Sequence, residues 1–578
     1  MPQLAAISGD RVELLPGHWQ RQHDQAVDAY LAIPNDDILH GIRRHGGLPS
    51  AGKSLSGWCR VDSSVVLGQW LSALSVFARS TGRPEIREKV VALTDQWAET
   101  LPATGFGYLN NRFSPGGHYA YDKLVGGLVD VGLAGHDPAF DYLSDLTALA
   151  STHLDRVNVP ASPEPSLHSG RAPEWYTLSE NLYRAALATG DSSYREFADV
   201  WNYDHYWDKF ADTARPDNAW GVHAYSHLNT FSGAAARHLT DGDERSLAIS
   251  RNAHDFFIET QTFATGGFGP AERIQPYGHL GRSLDTRMDS FETPCGSWAA
   301  FKLSKYLLEA TGEARFGEWI ERLFYNGIGA ALPMESTGSH FYYADYRVSG
   351  GVKTVARDHF CCCSGTYAQA VAAYPELIFF ADRDDLFVNL FTPARVAHTV
   401  AGQTVEVVVH TDFPIEEHVR VSVQSPTPAR FKLALRIPEY GSVEDLRVDG
   451  APVAGVVDAG WLIVDRVWEG GAEVTFTLPL EWRAESISDA HPDRIALLRG
   501  PAVYVLDAWR HEPLPGDPTP TLRTDATLES GAAFAGFALA AETGVGAFDA
   551  LVHPFYQVPA DWTYRMYFDR ASRPYAFY

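Results

Sequence analysis

Five glycines at near-regular spacing constrain this chain more than any other feature. They sit in "VFARSTGRPEIREKV", "VGLAGHDPAFDYL", "AALATGDSSYREFA", "AARHLTDGDERSLA" and "YLLEATGEARFGEWI". In each stretch an amphipathic helical pattern runs into a glycine, crosses a polar turn and begins again. Glycine is the usual residue just past a helix end, because the left-handed conformation there carries no Cβ penalty. The five, Gly82, Gly135, Gly190, Gly242 and Gly312, are 53, 55, 52 and 70 residues apart. A period near 53 is the length of two helices and their connections. A sixth unit is expected near "YAQAVAAYPELIFFA", residues 367–381. Six helical pairs predict an (α/α)6 barrel with a pocket at one end. An open α-solenoid is the alternative, although its repeats are usually shorter.

The long interval, from Gly242 to Gly312, places its surplus in "TGGFGPAERIQPYGHLGRSLDTRMDSFETPC", a Gly/Pro-rich and charged loop. Long ordered loops are where function tends to sit. Beyond residue 382 the pattern changes to short apolar or alternating runs bounded by Pro and Gly: "TVEVVVHTDFP", "VRVSVQSP", "FKLALRIP", "EVTFTLPL" and "IALLRGPAVYVLDA". These read as strands of β-sandwiches. The fold class is therefore α+β multidomain, an (α/α)6 barrel followed by β-sandwich domains. Its expected boundaries are 1–381, 382–485 and 486–578, with about the first 15 residues packing on the β region. Residues 507–533 form a Pro-rich connection.

A formal charge of −25, from 47 basic and 72 acidic residues, excludes nucleic acid and anionic membranes as partners. No apolar run approaches the ~20 residues that span a bilayer. The start, "MPQLAAISGDRVELLPGHW", lacks a basic region followed by an apolar one, so no export signal is visible. Five cysteines without such a signal point to a reducing, cytoplasmic setting. A homodimer is compatible with this composition.

Three of the five cysteines are consecutive, in "HFCCCSGTYAQA" at residues 359–370. Neighbouring cysteines rarely pair with each other, which leaves a metal site, a reactive thiolate or buried small hydrophobes. Elsewhere, "FETPCGSWAAFKL" places Thr293 at a helix cap, Pro294 at its first position and Cys295 in its first turn. Free N–H groups and the helix dipole favour a thiolate there. Glu292 lies three residues before Cys295. With two sulfurs of the triple-cysteine segment it completes a Cys3Glu set, suited to tetrahedral zinc. Three chemistries fit: a catalytic zinc facing a pocket and a second carboxyl group, a closed structural zinc in a carbohydrate-binding protein, and a thiol redox sensor.

"FCCCSGTYAQ" resembles the CC-[SP]-G segment of the β-L-arabinofuranosidase family, glycoside hydrolase family 127. The resemblance continues in order through "GWCRVDSSVVLGQWLSALS", "EWYTLSENLYRAALATGD", "AYSHLNTFSGAAARHLTDGD", "FETPCGSWAAFKL", "LFYNGIGAAL", "DDLFVNLFTPARV" and "RIALLRGPAVYVLDA". It implies an (α/α)6 barrel before β-sandwiches, and a retaining exo-hydrolase with a zinc-bound cysteine nucleophile and a glutamate acid/base. By that resemblance Cys362 is the nucleophile, and Glu292, Cys295, Cys363 and the Cys362 sulfur hold the zinc. Glu272, in "GFGPAERI", is the candidate acid/base; its alternative is a loop carboxylate paired with Arg273. His227 in "YSHLN" and Tyr343 in "HFYYADY" stand as pocket residues. Tyr121 in "YDKL" and Trp175 in "EWYTL" occupy positions where the family has sugar-binding histidines.

The implied substrate is a small oligosaccharide or glycoside that yields L-arabinofuranose from a β-L-arabinofuranoside. Another furanoside, or a branched or deoxy sugar, is the alternative. The sequence departs from the family pattern in having two residues, Thr293 and Pro294, between Glu292 and Cys295, where one is common. An extended chain points consecutive side chains to opposite sides. Cys361 and Cys362 should then diverge, with Cys363 rejoining the metal as the chain turns at Ser364-Gly365.

Overall fold

The computed structural model describes residues 3–104, 117–154, 156, 174–357, 359–507, 521–522, 529–530, 537–543, 546–560 and 562–569. Most of the Pro-rich stretch 507–533 lies outside the described residues. Among the described residues, twelve helices build a barrel: α1 (His18–Leu31), α2 (Ser64–Thr81), α3 (Pro84–Ala98), α4 (Gly117–Leu133), α5 (Pro138–His153), α6 (Leu178–Thr189), α7 (Ser192–Val200), α8 (Ala224–Asp241), α9 (Glu244–Thr260), α10 (Thr293–Thr311), α11 (Gly317–Asn326) and α12 (Cys362–Ala372). The even-numbered six form a closed ring. Each packs on the next even-numbered helix, and α12 returns to α2. The odd-numbered helices lie outside, α3 on α2, α5 on α4 and so on, with α1 against α12.

Sequence patterning explains which helices go inside. α2 is buried along most of its length, with Val65, Leu67, Trp70, Leu71, Leu74 and Phe77 pointing around its circumference. α3 buries one stripe, Ile86, Val90, Leu93 and Trp97, at helical spacing. Each such side chain stabilises the fold by about 1.5–3 kcal/mol through burial.

Gly82, Gly190, Gly242 and Gly312 each end an inner helix in the left-handed conformation, with φ of 62°, 74°, 76° and 69°. Gly135, shortly after α4, has φ 90°. The repeat is therefore inner helix, glycine, outer helix. The sixth unit departs from the expectation. Its inner helix, α12, starts at Cys362, ahead of residue 367, and its outer partner is α1 from the beginning of the chain. Residues 374–378 make only a short helix starting at Tyr374-Pro375, and the aromatic run after it pairs as strand Phe379–Asp382.

That strand opens the β region. Strands Ala5–Ala6 and Val12–Leu14 join the same sheet, pairing with Phe379–Asp382 and Ala394–Val400. "VRVSVQSP" and "FKLALRIP" read as two strands but form one, His418–Arg436. Its register shifts between Ser425 and Ala429, which takes Pro426 and Pro428 out of the ladder, the place where proline is tolerated. The first part pairs antiparallel with Gln403–Thr411 and the last part parallel with Asp385–Val388. A second sheet starts at Trp482–Ser488.

Both sheets dock on the barrel through polar contacts at helix ends. Trp461 Nε1 donates to the carbonyl of Gly312 at 2.8 Å. Asn326, at the end of α11, donates to Pro501 O and accepts from Val503 N, at 2.8 and 2.7 Å. Arg436, wholly buried, is held by Glu318 and Glu321 of α11. No described helix is long and apolar enough to cross a membrane.

Candidate active site

Each of the first five inner helices is followed by an outer one that returns, and α1, the outer partner of α12, precedes α2, so the inner helices run the same way. Their N-termini gather at one end of the barrel, where unpaired backbone N–H groups favour negative charge. Four of the five cysteines, a histidine and three carboxylates meet there.

The long loop that follows α9 ends in strand Phe291–Glu292, paired with Tyr343 and Ala344 of strand His340–Ala344. Helix α10 begins at once. Its cap residue is Glu292, not Thr293 as the sequence suggests. The Thr293 hydroxyl donates to Phe291 O at 3.4 Å, and the Glu292 carboxylate leaves the helix end for the thiols. Cys295 sits in the first turn, with its sulfur 3.3 Å from Cys363 Sγ and 3.1 Å from Thr366 Oγ1.

The triple-cysteine segment also turns earlier than expected. Cys361 is the extended cap residue, and Cys362 and Cys363 are already the first two residues of α12. Ser364 and Gly365 lie inside the helix, and Ser364 Oγ donates to Cys361 O at 2.7 Å. Successive helical side chains project about 100° apart, so Cys362 and Cys363 can reach one carboxylate. Their sulfurs lie 3.6 and 3.1 Å from Glu292 Oε1. Cys361 faces elsewhere, 3.6 Å from His340 Nε2. Cys362 is 8% exposed, whereas Cys295, Cys361 and Cys363 are fully buried.

Glu272 approaches from the loop. Ala271 and Glu272 both have left-handed backbone, at φ 60° and 57°, a conformation that costs about 1–2 kcal/mol per non-glycine residue. Glu272 does not pair with Arg273, whose Nη1 donates to Gly221 O at 2.6 Å. The Tyr343 hydroxyl donates to Glu272 Oε1, and Tyr342 reaches the same oxygen at 3.4 Å. His223 Nε2 lies 3.5 Å from Glu272 Oε2 and 3.9 Å from Glu292 Oε2, while its Nδ1 is 3.1 Å from Glu174 Oε1. Carboxylate oxygens of Glu272 and Glu292 approach within 4.8 Å.

Burial alone would lower the pKa of His223, but hydrogen bonds to Glu174 and Glu272 outweigh it and hold the imidazolium well above its usual range. Burial would raise Glu272, but His223 and Tyr343 pull its carboxyl below the ordinary value. This reverses the upward shift an acid catalyst would need, and the cause is the clamp by His223. Glu292 goes the other way, well up, through burial and then the charge of Glu272. Among the thiols, hydrogen bonds from Cys295, Cys361 and Cys363 hold the Cys362 sulfur well below its usual value. Burial raises Cys295 and Cys363. The negative charge of the thiol cluster thus favours the Cys362 sulfur.

The donor set fits a metal ion. Glu292, Cys295, Cys362 and Cys363 each offer one atom, all within 4.8 Å of one another, and all four residues are buried. Glu292 Oε2 is buried without a hydrogen-bond partner, a costly arrangement that a cation would relieve.

The structure brings together Cys362, Cys363, Cys295, Glu292, Glu272 and Tyr343. It places the other sequence candidates apart from them. His227 is buried among Tyr176, Tyr203 and Tyr206, its Nδ1 2.9 Å from His223 O, and burial followed by the charge of His223 pushes its pKa to about 3. The Tyr121 hydroxyl donates to Thr147 of α5 at 2.9 Å, so its side chain lies between inner and outer helices. Trp175 is fully buried, with the Arg156 guanidinium 3.5 Å above its ring.

Sequence reading missed His223, Glu174 and Tyr342. A signal for the first existed. Cys295 and Cys362 lie in the first turns of inner helices, and His223 is the cap residue of α8, whereas His227 is one turn deeper.

The model of the β-L-arabinofuranosidase (GH127) catalytic domain matches residues 11–376, and that of the GH127 middle domain matches residues 385–480. Among solved structures, the chain is similar to a GH127 β-L-arabinofuranosidase from Geobacillus stearothermophilus T6. The identity is 19% and the TM-score 0.75, covering 96% of this chain and 99% of that one. It is similar at 16% identity to a GH127 β-arabinofuranosidase, with TM-score 0.74 and 98% of each chain covered. No curated protein matches the sequence.

Proposed function

The chain belongs to the β-L-arabinofuranosidase family, glycoside hydrolase family 127, and from that premise we propose that this glycoside hydrolase releases L-arabinofuranose from β-L-arabinofuranosides with retention of configuration. Cys362 is the nucleophile and Glu272 the acid/base. One observation carries the assignment: Cys362, the one cysteine of the cluster not wholly buried, lies with its sulfur 3.6 Å from Glu292, and a second carboxylate, Glu272, 32% exposed, stands within 4.8 Å of Glu292. A closed structural metal site would have no such open side.

Glu292, Cys295, Cys363 and the Cys362 sulfur would hold zinc, which when bound keeps the sulfurs deprotonated at neutral pH and stabilises a departing thiolate. Cys362 Sγ attacks C1 of the sugar, forming a C–S bond as the C1–O bond breaks. Glu272 gives a proton to the leaving oxygen. That proton comes from the His223 imidazolium, whose Nε2 lies 3.5 Å from Glu272 Oε2 and which is recharged in the second half by the proton Glu272 takes from water. In the second half, Glu272 takes a proton from a water whose oxygen attacks C1. The C–S bond breaks and its electron pair returns to sulfur. Two inversions at C1 give net retention. Tyr343 keeps Glu272 aimed at the cluster.

A screen of nitrophenyl pentofuranosides and pyranosides of both anomers tests the reading. The expected result is turnover of the β-L-arabinofuranoside, with NMR showing the β anomer formed first. Turnover of a different furanoside alone would move the specificity to another sugar. Zinc-loaded protein inert on every glycoside, with its Cys362 unmodified, would leave the cluster a structural one.

A further inference from the structure

Between residues 269 and 275 the chain makes a tight excursion that presents Glu272. Gly269, Ala271 and Glu272 all have positive φ, at 75°, 60° and 57°. Glycine accepts this freely, but Ala271 and Glu272 do not. Their conformation must be imposed by the surroundings. Backbone bonds supply part of the restraint: Ala271 N donates to Asp289 O at 3.0 Å and Arg273 N to Pro270 O at 3.3 Å. The outgoing chain is tied to the segment before α8, with Ile274 N on Val222 O at 3.0 Å and Gly221 N on Ile274 O at 2.9 Å.

The carbonyls on either side of the left-handed pair, Pro270 O and Arg273 O, meet in one side chain. Gln275 Nε2 donates to both, at 2.9 Å each. Gln275 is itself fixed by a reciprocal pair with Gln261, the residue that ends α9. Its backbone N–H donates to Gln261 Oε1 at 2.8 Å, and Gln261 Nε2 donates to Gln275 O at 3.0 Å. Gln261 is 1% exposed, so this anchor is part of the barrel wall.

We propose that Gln275 is a positioning residue for Glu272: its amide clips the two carbonyls that bracket Ala271 and Glu272, and so transmits the rigid end of α9 to the carboxyl group. This rests on the acid/base reading of Glu272. Without the clip the left-handed pair relaxes toward ordinary backbone, and the carboxyl drifts from the leaving oxygen while the thiols stay in place.

The test uses full-length, zinc-loaded protein with Gln275→Ala and Gln275→Glu. The second keeps the shape, but its carboxylate cannot donate to two carbonyls. A displaced catalytic group of this kind costs about 10–100-fold in kcat on a methyl glycoside. On a nitrophenyl glycoside, which needs little protonation, the loss should stay within about threefold. KM, zinc content and melting temperature should match those of the parent. If one variant fails to fold, the other carries the test. Equal losses on both substrates, or no loss, would overturn the proposal, provided Glu272→Gln itself shows the leaving-group split. Absence of that split in Glu272→Gln would overturn the acid/base reading, and the clip with it.

Discussion

The Cys363 sulfur stands 3.1 Å from Glu292 Oε1, across a sequence separation of 71 residues. The starts of α10 and α12 are thereby closed around one donor set. Two helix N-termini bear on it, and each favours the anionic forms of the groups it faces.

A single equivalent of zinc per chain is expected after purification without chelator, measured by elemental analysis. Glu292→Gln, Cys295→Ala and Cys363→Ala should each lose most of it. Full activity in a protein free of metal would refute the donor set.

The three consecutive cysteines should separate by role. Cys361→Ala removes a buried contact with His340 and one of three thiol hydrogen bonds to Cys362, and should keep zinc and most of its activity. Cys362→Ala should abolish turnover while the fold persists. Cys363→Ala should lose both metal and activity. Mass spectrometry after treatment with a haloacetamide-bearing sugar analogue should map the adduct to Cys362; an adduct on Cys361 would reassign the nucleophile.

Glu272→Gln should reduce turnover of alkyl glycosides by roughly 10²–10⁴-fold, the usual contribution of a positioned acid/base, and that of nitrophenyl glycosides much less. Parallel loss on both would make Glu272 a structural carboxylate.

Gly365→Ala tests the seating of α12. A Cβ at that position would lie 2.4 Å from Gln69 Oε1 and 2.7 Å from its Cβ, so α12 must move away from α2. Overpacking of this kind costs about 1–3 kcal/mol. Denaturant unfolding should show the loss, and zinc content should fall with it. Unchanged stability and full zinc occupancy would mean that Gln69 yields freely.

Lys353 makes stability depend on pH. Its Nζ donates to Ala330 O and Val558 O, at 2.7 and 2.8 Å, and burial pushes its pKa down to about 7. The unfolded chain then holds this proton more tightly than the native protein. Between about pH 7 and the ordinary lysine value, stability rises with pH by at most about 1.4 kcal/mol per unit from this group, and it levels off above. Comparing parent with Lys353→Met by urea unfolding from pH 7 to 10 isolates the effect. The parent should gain on the variant as pH rises, and parallel curves would refute it.

The barrel was legible because its glycines are. A left-handed helix end favours glycine strongly, so Gly82, Gly190, Gly242 and Gly312 mark the architecture directly. The sixth pair was not legible in the same way, because α1 and α12 come from opposite ends of the barrel sequence and no periodicity links them. At the site, sulfur and carboxylate spacing pointed to Glu292, Cys295 and two sulfurs of the triple-cysteine segment, and the family resemblance named Cys362 and Cys363 among them. It took His227 and missed His223, four residues earlier at the cap of α8. Which of them meets Glu272 depends on where α8 begins, and Tyr342 and Glu174 reach the site only through tertiary packing.

The pairing of α1 with α12 also sets a schedule. Tyr30 on α1 donates its hydroxyl to the carbonyl of Ser364 on α12, 334 positions later. During synthesis the first barrel helix must wait for the last one to complete its packing, and contacts at such separation form slowly. Residues Cys362 and Cys363 ride on that last helix. The ring and the thiol cluster are therefore completed in the same event. Until residues 361–363 are made, the nascent chain carries only Cys59 and Cys295 of its five cysteines, so the thiol cluster enters the chain together with the helix that closes the ring.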